Sequence, residues 1–185
     1  YSLRSGMRYA NDTLPDGKNE MSVLATVGGS WRTRDQKLTL RADHDQSLFS
    51  KNTNIDFPTR TIFGVDYQAT QAVTLFAQEE LTYGELAKTN TTTAGIKSTP
   101  WSGGSLNSSV VNDIRENSER TFANVGLAQK WQINPSWGVD GEIGHSETVR
   151  KKDGYTMNAN VPPASGGTEF TAVSLGANYS AKKLL

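Results

Sequence analysis

The chain has 185 residues, 19 Lys and Arg against 19 Asp and Glu, and no Cys, so its formal net charge is zero. A neutral chain has no basic field for a phosphate backbone, which argues against nucleic-acid binding. The lack of Cys excludes disulfide scaffolds, thiolate zinc sites and cysteine nucleophiles. No run of about 18–20 apolar residues occurs, so the sequence predicts no membrane-spanning helix.

Apolar residues recur at every second position through most of the chain, which is the period of a β-strand. Odd positions from Met21 to Trp31 are apolar or glycine, whereas the even positions between them are mostly polar. The alternation predicts an all-β protein with about ten strands, most of them longer than the usual five or six residues. The predicted strands are residues 1–10, 20–32, 37–45, 58–69, 72–84, 91–101, 105–112, 120–133, 137–149 and 168–181.

The predicted connections alternate between two kinds. Short ones lie near residues 32–36, 69–71, 101–104 and 134–136. Longer polar ones lie near residues 11–19, 46–57, 85–90, 113–119 and 150–167. Successive connections of an antiparallel up-and-down sheet lie at opposite ends, so this order predicts short turns at one end and long loops at the other.

Aromatic residues concentrate at the predicted short-turn end. Tyr9 and Tyr83 lie at the opposite end of their strands. Amphipathic aromatic side chains gather at the two interfaces of a membrane. With alternating strands and sorted loops, they predict a transmembrane antiparallel up-and-down β-barrel of about ten strands, or a ten-strand section of a larger barrel. The predicted membrane-interface girdle consists of Trp31, Tyr67, Trp101, Trp131, Trp137 and Tyr179.

The two faces of the predicted sheet have distinct roles in this interpretation. The residues expected to contact lipid are Leu3, Val23, Val27, Leu40, Val65, Leu75, Val125, Leu127, Val139, Ile143, Val173 and Leu175. The principal lumen charges are Arg4, Arg8, Arg41, Asp66, Glu80, Lys97 and Glu142. Both signs are present, and barrels of about eight strands are just filled by side chains, so we expect a plugged lumen unless the strands belong to a larger barrel.

Three segments resemble a known group of proteins: Thr99 to Gly104, Arg120 to Trp131 and Asn134 to Trp137. They are similar to the C-terminal membrane barrels of large Gram-negative surface proteins with extracellular repeat modules, closely over residues 90–149 and only in pattern elsewhere. The resemblance implies an outer-membrane barrel that anchors or helps export the rest of a chain. Many outer-membrane barrels end in a strand whose last residue is aromatic, whereas here six further residues follow Tyr179. We therefore expect residues 1–185 to be one barrel domain or section, excised from a longer polypeptide.

The predicted function is structural: a barrel in the outer membrane of a Gram-negative bacterium that anchors, or helps export, a larger surface protein. Its expected partners are outer-membrane lipid and further strands or domains of the same polypeptide, with no defined small-molecule ligand. The alternative is a porin or conduit that passes small solutes or encloses a partner. A minor alternative is a hydrolase on the outer rim that uses His44 or His145.

The sequence assigns no catalytic, cofactor-binding or metal-binding residue, and the protein is not expected to be an enzyme. Ser146 and His145 are neighbours in a strand, so their side chains point to opposite faces and cannot form a nucleophile–base pair. Asp43, Asp45 and Asp56 have oxygen ligands suited to calcium, but their spacing matches no calcium-binding loop.

Overall fold

A computed structural model describes residues 1–13, 19–48, 58–83, 88–115, 118–152 and 169–180. The described residues form ten β-strands and no helix. The strands are β1 (Ser2–Thr13), β2 (Asn19–Arg32), β3 (Leu38–Ser47), β4 (Thr59–Gln68), β5 (Val73–Tyr83), β6 (Thr89–Ser98), β7 (Gly104–Arg115), β8 (Ser118–Gln132), β9 (Trp137–Lys151) and β10 (Phe170–Tyr179).

All ten strands belong to one sheet whose spatial order is the order of the chain, from β1 to β10. Each strand pairs antiparallel with its neighbours in sequence. The prediction of about ten antiparallel up-and-down strands is therefore confirmed. In the described part of the chain the sheet is open, with β1 at one edge and β10 at the other.

The strand registers keep the apolar positions on one face of the sheet. Leu40 lies opposite Trp31 of β2 and Val65 of β4, and this alignment continues through the later strands. We call this side the apolar face; it carries the predicted lipid-contact residues. The other side, which carries Arg4, Asp43 and their neighbours in each row, is the polar face. Registers that differed by one residue would have mixed the two sets of side chains.

Several predicted boundaries are wrong. The first predicted strand, 1–10, is too short, because β1 continues to Thr13. We expected a strand to continue to Trp101, but β6 ends at Ser98 and Trp101 lies in a turn. Pro100 explains this end, because proline has no N–H to donate to a neighbouring strand. The polar residues at 113–119 also do not form a long loop. β7 continues to Arg115 and β8 begins at Ser118, so only residues 116–117 separate the two strands.

The connection between β2 and β3 is a tight turn over residues 33–37. The amide of Gln36 donates a hydrogen bond to the carbonyl of Thr33 at 3.0 Å, and the Lys37 amide donates to the Asp35 carboxylate at 3.2 Å. Gln36 has a φ of 59°, in the left-handed region. These local bonds close the turn without help from another part of the sheet.

Candidate functional site

The polar face is the more buried of the two faces. Phe122 and Asp113, both on this face, are each only 1% exposed. The buried residues on the polar face include Ser22, Leu24, Ser47, Thr82, Val111, Asp113, Arg120, Phe122 and Ser146. By contrast, most large side chains of the apolar face are exposed, such as Val125 at 47%, whereas Val23 on the same face is buried at 8%. The described residues form a single sheet, so this burial comes from side chains of the polar face packing against one another.

An ion pair crosses the polar face from β1 to β3. The guanidinium of Arg4 donates to the Asp43 carboxylate through Nη2 at 2.6 Å and Nε at 3.1 Å. Gly28 of β2 lies between them in the same row. A Cβ at Gly28 would come within 1.8 Å of Oδ1 of Asp43, so the absence of a side chain there gives Asp43 its space.

Further ion pairs continue across the next strands. Arg41 of β3 lies above Gly64 of β4 and contacts the Asp66 carboxylate at 3.1 Å. Arg60 contacts Asp45 at 2.8 Å and Glu80 at 3.6 Å, so it joins carboxylates of β3 and β5. These arginines and carboxylates form a band of alternating charge from β1 to β5.

A second polar cluster lies on β6 to β9. Asp113 accepts hydrogen bonds from Thr91 Oγ1 at 3.2 Å and from Arg115 Nε at 3.0 Å. Arg120 lies 5.1 Å from the centroid of the Phe122 ring and donates to a hydroxyl of β9. The sequence pattern did not predict this cluster, because these charges fall at predicted strand ends or in a predicted loop. Their two-residue spacing from Val111 and Phe122 is the signal that could have found them.

The seven predicted lumen charges all lie on the polar face, at matching positions of the strand registers: Arg4, Arg8, Arg41, Asp66, Glu80, Lys97 and Glu142. The structure brings Arg41 and Asp66 into one ion pair. Lys97 instead lies 4.6 Å from the centroid of the Phe76 ring, a cation–π contact on the same face. The charges thus combine with aromatic side chains, as well as with each other, to cover this face.

The six predicted girdle residues all lie at the end of the sheet that holds the turns at 33–37, 69–72, 99–103 and 133–136. They are Trp31, Tyr67, Trp101, Trp131, Trp137 and Tyr179, and each is exposed. The rings of Trp137 and Tyr179 pack with centroids 4.9 Å apart. Trp101, in the turn after β6, donates its indole N–H to Gln129 of β8. Five of the six stand on the apolar face, and Trp101 borders it.

Some polar side chains interrupt the apolar face away from the girdle. The Glu79 carboxylate accepts a hydrogen bond from Thr92 Oγ1 at 2.5 Å. His44 is hydrogen-bonded to Thr61 Oγ1 at 2.9 Å, and His145 to Thr171 Oγ1 at the same distance. Each polar group therefore has a hydroxyl partner on the next strand.

The candidate catalytic and calcium-binding side chains are dispersed. His44 lies on β3 and His145 on β9, and the two are not neighbours in the sheet. Asp43 and Asp45 each face an arginine, and Asp56 lies outside the described residues. Within the described ranges, no group of three potential metal-ligand side chains is present. Comparisons of the chain with protein-family models, curated proteins and solved structures give no match.

Proposed function

We propose that the chain is a transmembrane β-barrel, or a section of one, that anchors a larger surface protein in the outer membrane of a Gram-negative bacterium. The observation that carries the proposal is the inverted distribution of side chains. Charged residues pair with one another on the polar face, which is the more buried of the two, while the opposite face exposes rows of large apolar residues. An extended exposed apolar surface requires an apolar environment, and lipid provides one around the whole sheet.

The strand length agrees with this proposal. β5 has 11 residues from Val73 to Tyr83. At about 3.3 Å per residue and a tilt of about 40°, such a strand rises about 25 Å, which is the height of the apolar band of outer-membrane barrels. The aromatic girdle lies at one end of this height, and Tyr9 and Tyr83 lie on the apolar face near the other. The strands are therefore long enough to cross the hydrocarbon layer.

The polar face supports an anchor rather than a conduit. Ion pairs link β1 to β3 and β3 to β5, and Phe76 and Phe122 occupy the same face. Side chains that pair across a small barrel fill its interior and leave no wide channel. The proposal assigns no catalytic residue and requires no cofactor.

The test is refolding of the 185-residue chain into lipid vesicles. We expect a protease-resistant species that migrates faster on a gel before boiling than after it, because closed barrels stay folded in detergent. Refolding in buffer without lipid is the matched control. A chain that folds cooperatively in buffer and gains nothing from vesicles would refute the membrane proposal.

A further inference from the structure

The two edge strands carry backbone groups and apolar side chains that no other strand covers. Leu3 of β1 and Leu175 of β10 are each 82% exposed, well above Val125 on the interior strand β8 at 47%. Unpaired edges of this length invite pairing, and in lipid an unpaired edge leaves polar backbone groups without a partner. β1 and β10 run in opposite directions, because ten strands alternate in direction. The edges can therefore pair antiparallel with each other.

We propose that β1 and β10 close the sheet in one register, with Leu3 opposite Tyr179, Met7 opposite Leu175 and Tyr9 opposite Val173. This inference rests on the proposed barrel and specifies its seam. Each edge strand thus pairs with the other edge strand of the same chain, rather than with a second copy of the chain or with an additional strand.

Strand stagger is compatible with this register. A row of directly paired residues can be followed from Ser2 across the sheet to Thr148 on β9. Phe170 of β10 pairs with Ser146, so the register places the partner position of Thr148 at 168, two positions before Phe170. That row is Ser2, Ser30, Arg41, Gly64, Gln78, Thr93, Val111, Phe122 and Thr148. In the proposed seam Ser2 instead faces Ser180, so the row returns to β10 displaced by about 12 residues from position 168. For a barrel of ten strands, that displacement corresponds to a strand tilt of about 40° from the barrel axis.

The lengths of the two edges agree with the same register. β10 has 10 residues and β1 has 12. With Leu3 opposite Tyr179, every residue of β10 has a partner within β1. A shift by two residues in either direction leaves part of β10 unpaired. The proposed register therefore satisfies the most backbone groups at the seam.

The apolar face also selects this register. It places large apolar side chains directly opposite one another in three of the four rows from Leu3 to Tyr9: Leu3 and Tyr179, Met7 and Leu175, Tyr9 and Val173. The remaining row pairs Ser5 with Ala177. Aromatic and aliphatic pairs of this kind stabilise neighbouring strands. A shift by two residues instead sets Ser5 opposite Leu175 or Tyr179, which weakens the pairing on this face.

The polar face is compatible with the seam. The Asp140 carboxylate lies over Gly176, where a Cβ would be 2.8 Å from either carboxylate oxygen. In the proposed register Gly176 faces Gly6, so Asp140 points into a gap between Arg4 and Arg8. Among the described residues, no ion pair includes Asp140. A shifted register also brings Asp140 near one of the arginines, so the backbone and the apolar face decide the register.

The test uses cysteine pairs, because the natural chain has no Cys. Met7→Cys with Leu175→Cys is the predicted pair, and Met7→Cys with Val173→Cys or with Ala177→Cys are the matched controls. Directly opposite residues have Cβ atoms about 4.5–5.5 Å apart and diagonal ones about 7–8 Å, which is too far for an unstrained disulfide. After oxidation of the refolded protein in vesicles, we expect the predicted pair to form the intrachain disulfide several-fold more than either control.

A second set repeats the test four residues nearer the start of β1. It compares Leu3→Cys with Tyr179→Cys, the predicted pair, against Leu3→Cys with Ala177→Cys, its control. Preference for a control pair would overturn the register. Disulfide-linked dimers would show that β1 and β10 pair between two copies of the chain. A heat-modifiable protein without any disulfide would show that other strands separate β1 from β10. Either result overturns the proposed seam. Failure of the Cys-free chain to form a heat-modifiable species would instead refute the barrel itself.

Discussion

At the scale of single residues, the polar face depends on positions that hold no side chain. Gly28 is such a position, because the Asp43 carboxylate that binds Arg4 occupies the space of its missing Cβ. We expect Gly28→Ala to displace Asp43 and to lower the free energy of unfolding by about 1–3 kcal/mol, the usual cost of overpacking. Urea unfolding of the refolded protein in vesicles measures this change.

Gly126→Ala is the matched control for this substitution. Gly126 lies on the same face in β8, and a Cβ there would meet no atom within 4 Å. We expect Gly126→Ala to leave stability unchanged or to raise it slightly, because alanine restricts the unfolded chain more than glycine does. Equal losses at both glycines would show that Asp43 adjusts without cost and that the steric explanation is wrong.

Val125 distinguishes a lipid-facing surface from a water-facing one. Its side chain stands in the middle of the apolar face and is 47% exposed. If this face contacts lipid, Val125→Arg lowers the free energy of unfolding by about 2–4 kcal/mol, the cost of a cation near the middle of the membrane. In water, an arginine at such an exposed site changes stability by only about 0.5 kcal/mol.

Glu147→Arg provides the comparison for Val125→Arg. Glu147 of β9 lies on the apolar face, as Val125 does, but near the end of the strand away from the girdle, and its side chain is 74% exposed. The same new charge there is expected to cost little in vesicles, because the interface tolerates cations. A tolerance of Val125→Arg as complete as that of Glu147→Arg would argue against lipid contact by this face.

At the scale of elements, the turn between β2 and β3 carries a titratable group outside the proposed membrane span. The Thr33 hydroxyl and the Lys37 amide both donate to the Asp35 carboxylate, and these bonds lower the pKa of Asp35 below its ordinary value. A carboxyl whose pKa is lower in the folded state stabilises the fold above its unfolded pKa of about 3.9. That contribution is lost as the pH falls through the folded pKa.

Asp35→Asn tests this linkage. We expect the wild type to exceed Asp35→Asn in stability by a constant amount near neutral pH and by a decreasing amount below about pH 4. Unfolding measured from pH 7 to pH 2.5 supplies the comparison. Thr33→Val removes the first donor and should move the pH-dependent range upward. A difference between wild type and Asp35→Asn that does not depend on pH would contradict the role of the carboxylate.

Strand pairing was predictable from the sequence, whereas several strand ends were not. The two-residue period places Val23 and Val27 of β2 on one face without any knowledge of the register. The ends of β7 and β8 depend instead on side-chain partners. Asp113 stays in the strand because Thr91 and an arginine satisfy it, and composition alone cannot show those contacts.

For the candidate site, the sequence predicts which charged residues share a face but not which of them form pairs. Parity along each strand predicts that the seven charges share one face, but it does not give their partners. Arg4 binds Asp43 two strands away, a contact that depends on the registers of β1, β2 and β3 and on the gap at Gly28. Such contacts depend on the three-dimensional alignment of separate strands, which no local pattern specifies.

At the scale of the whole molecule, the side chains of the polar face determine what the proposed barrel could pass. We expect vesicles or planar bilayers that hold the refolded chain to be nearly silent in single-channel recordings, because paired side chains would fill the interior of the proposed barrel. Arg60→Ala removes the cation that joins Asp45 and Glu80. Two uncompensated carboxylates should then admit cations, so brief cation-selective openings are expected.

Glu147→Ala is the control for the recordings, since its exposed side chain lies on the opposite face. It removes one charge without altering the polar face and should leave the bilayer silent. Large, steady conductance of the wild-type chain would favour a porin over an anchor.

The pairing of each strand with its sequence neighbours alone has a consequence for how such proteins change over time. Two successive strands and their connection form a self-contained hairpin, and removal of β5 and β6 would bring β4 beside β7, which again run in opposite directions. Loss or duplication of a gene segment that encodes one hairpin therefore preserves the antiparallel pattern. The circumference of this architecture can grow or shrink by two strands at a time, and the odd intermediate, which would force a parallel pair at the seam, is avoided.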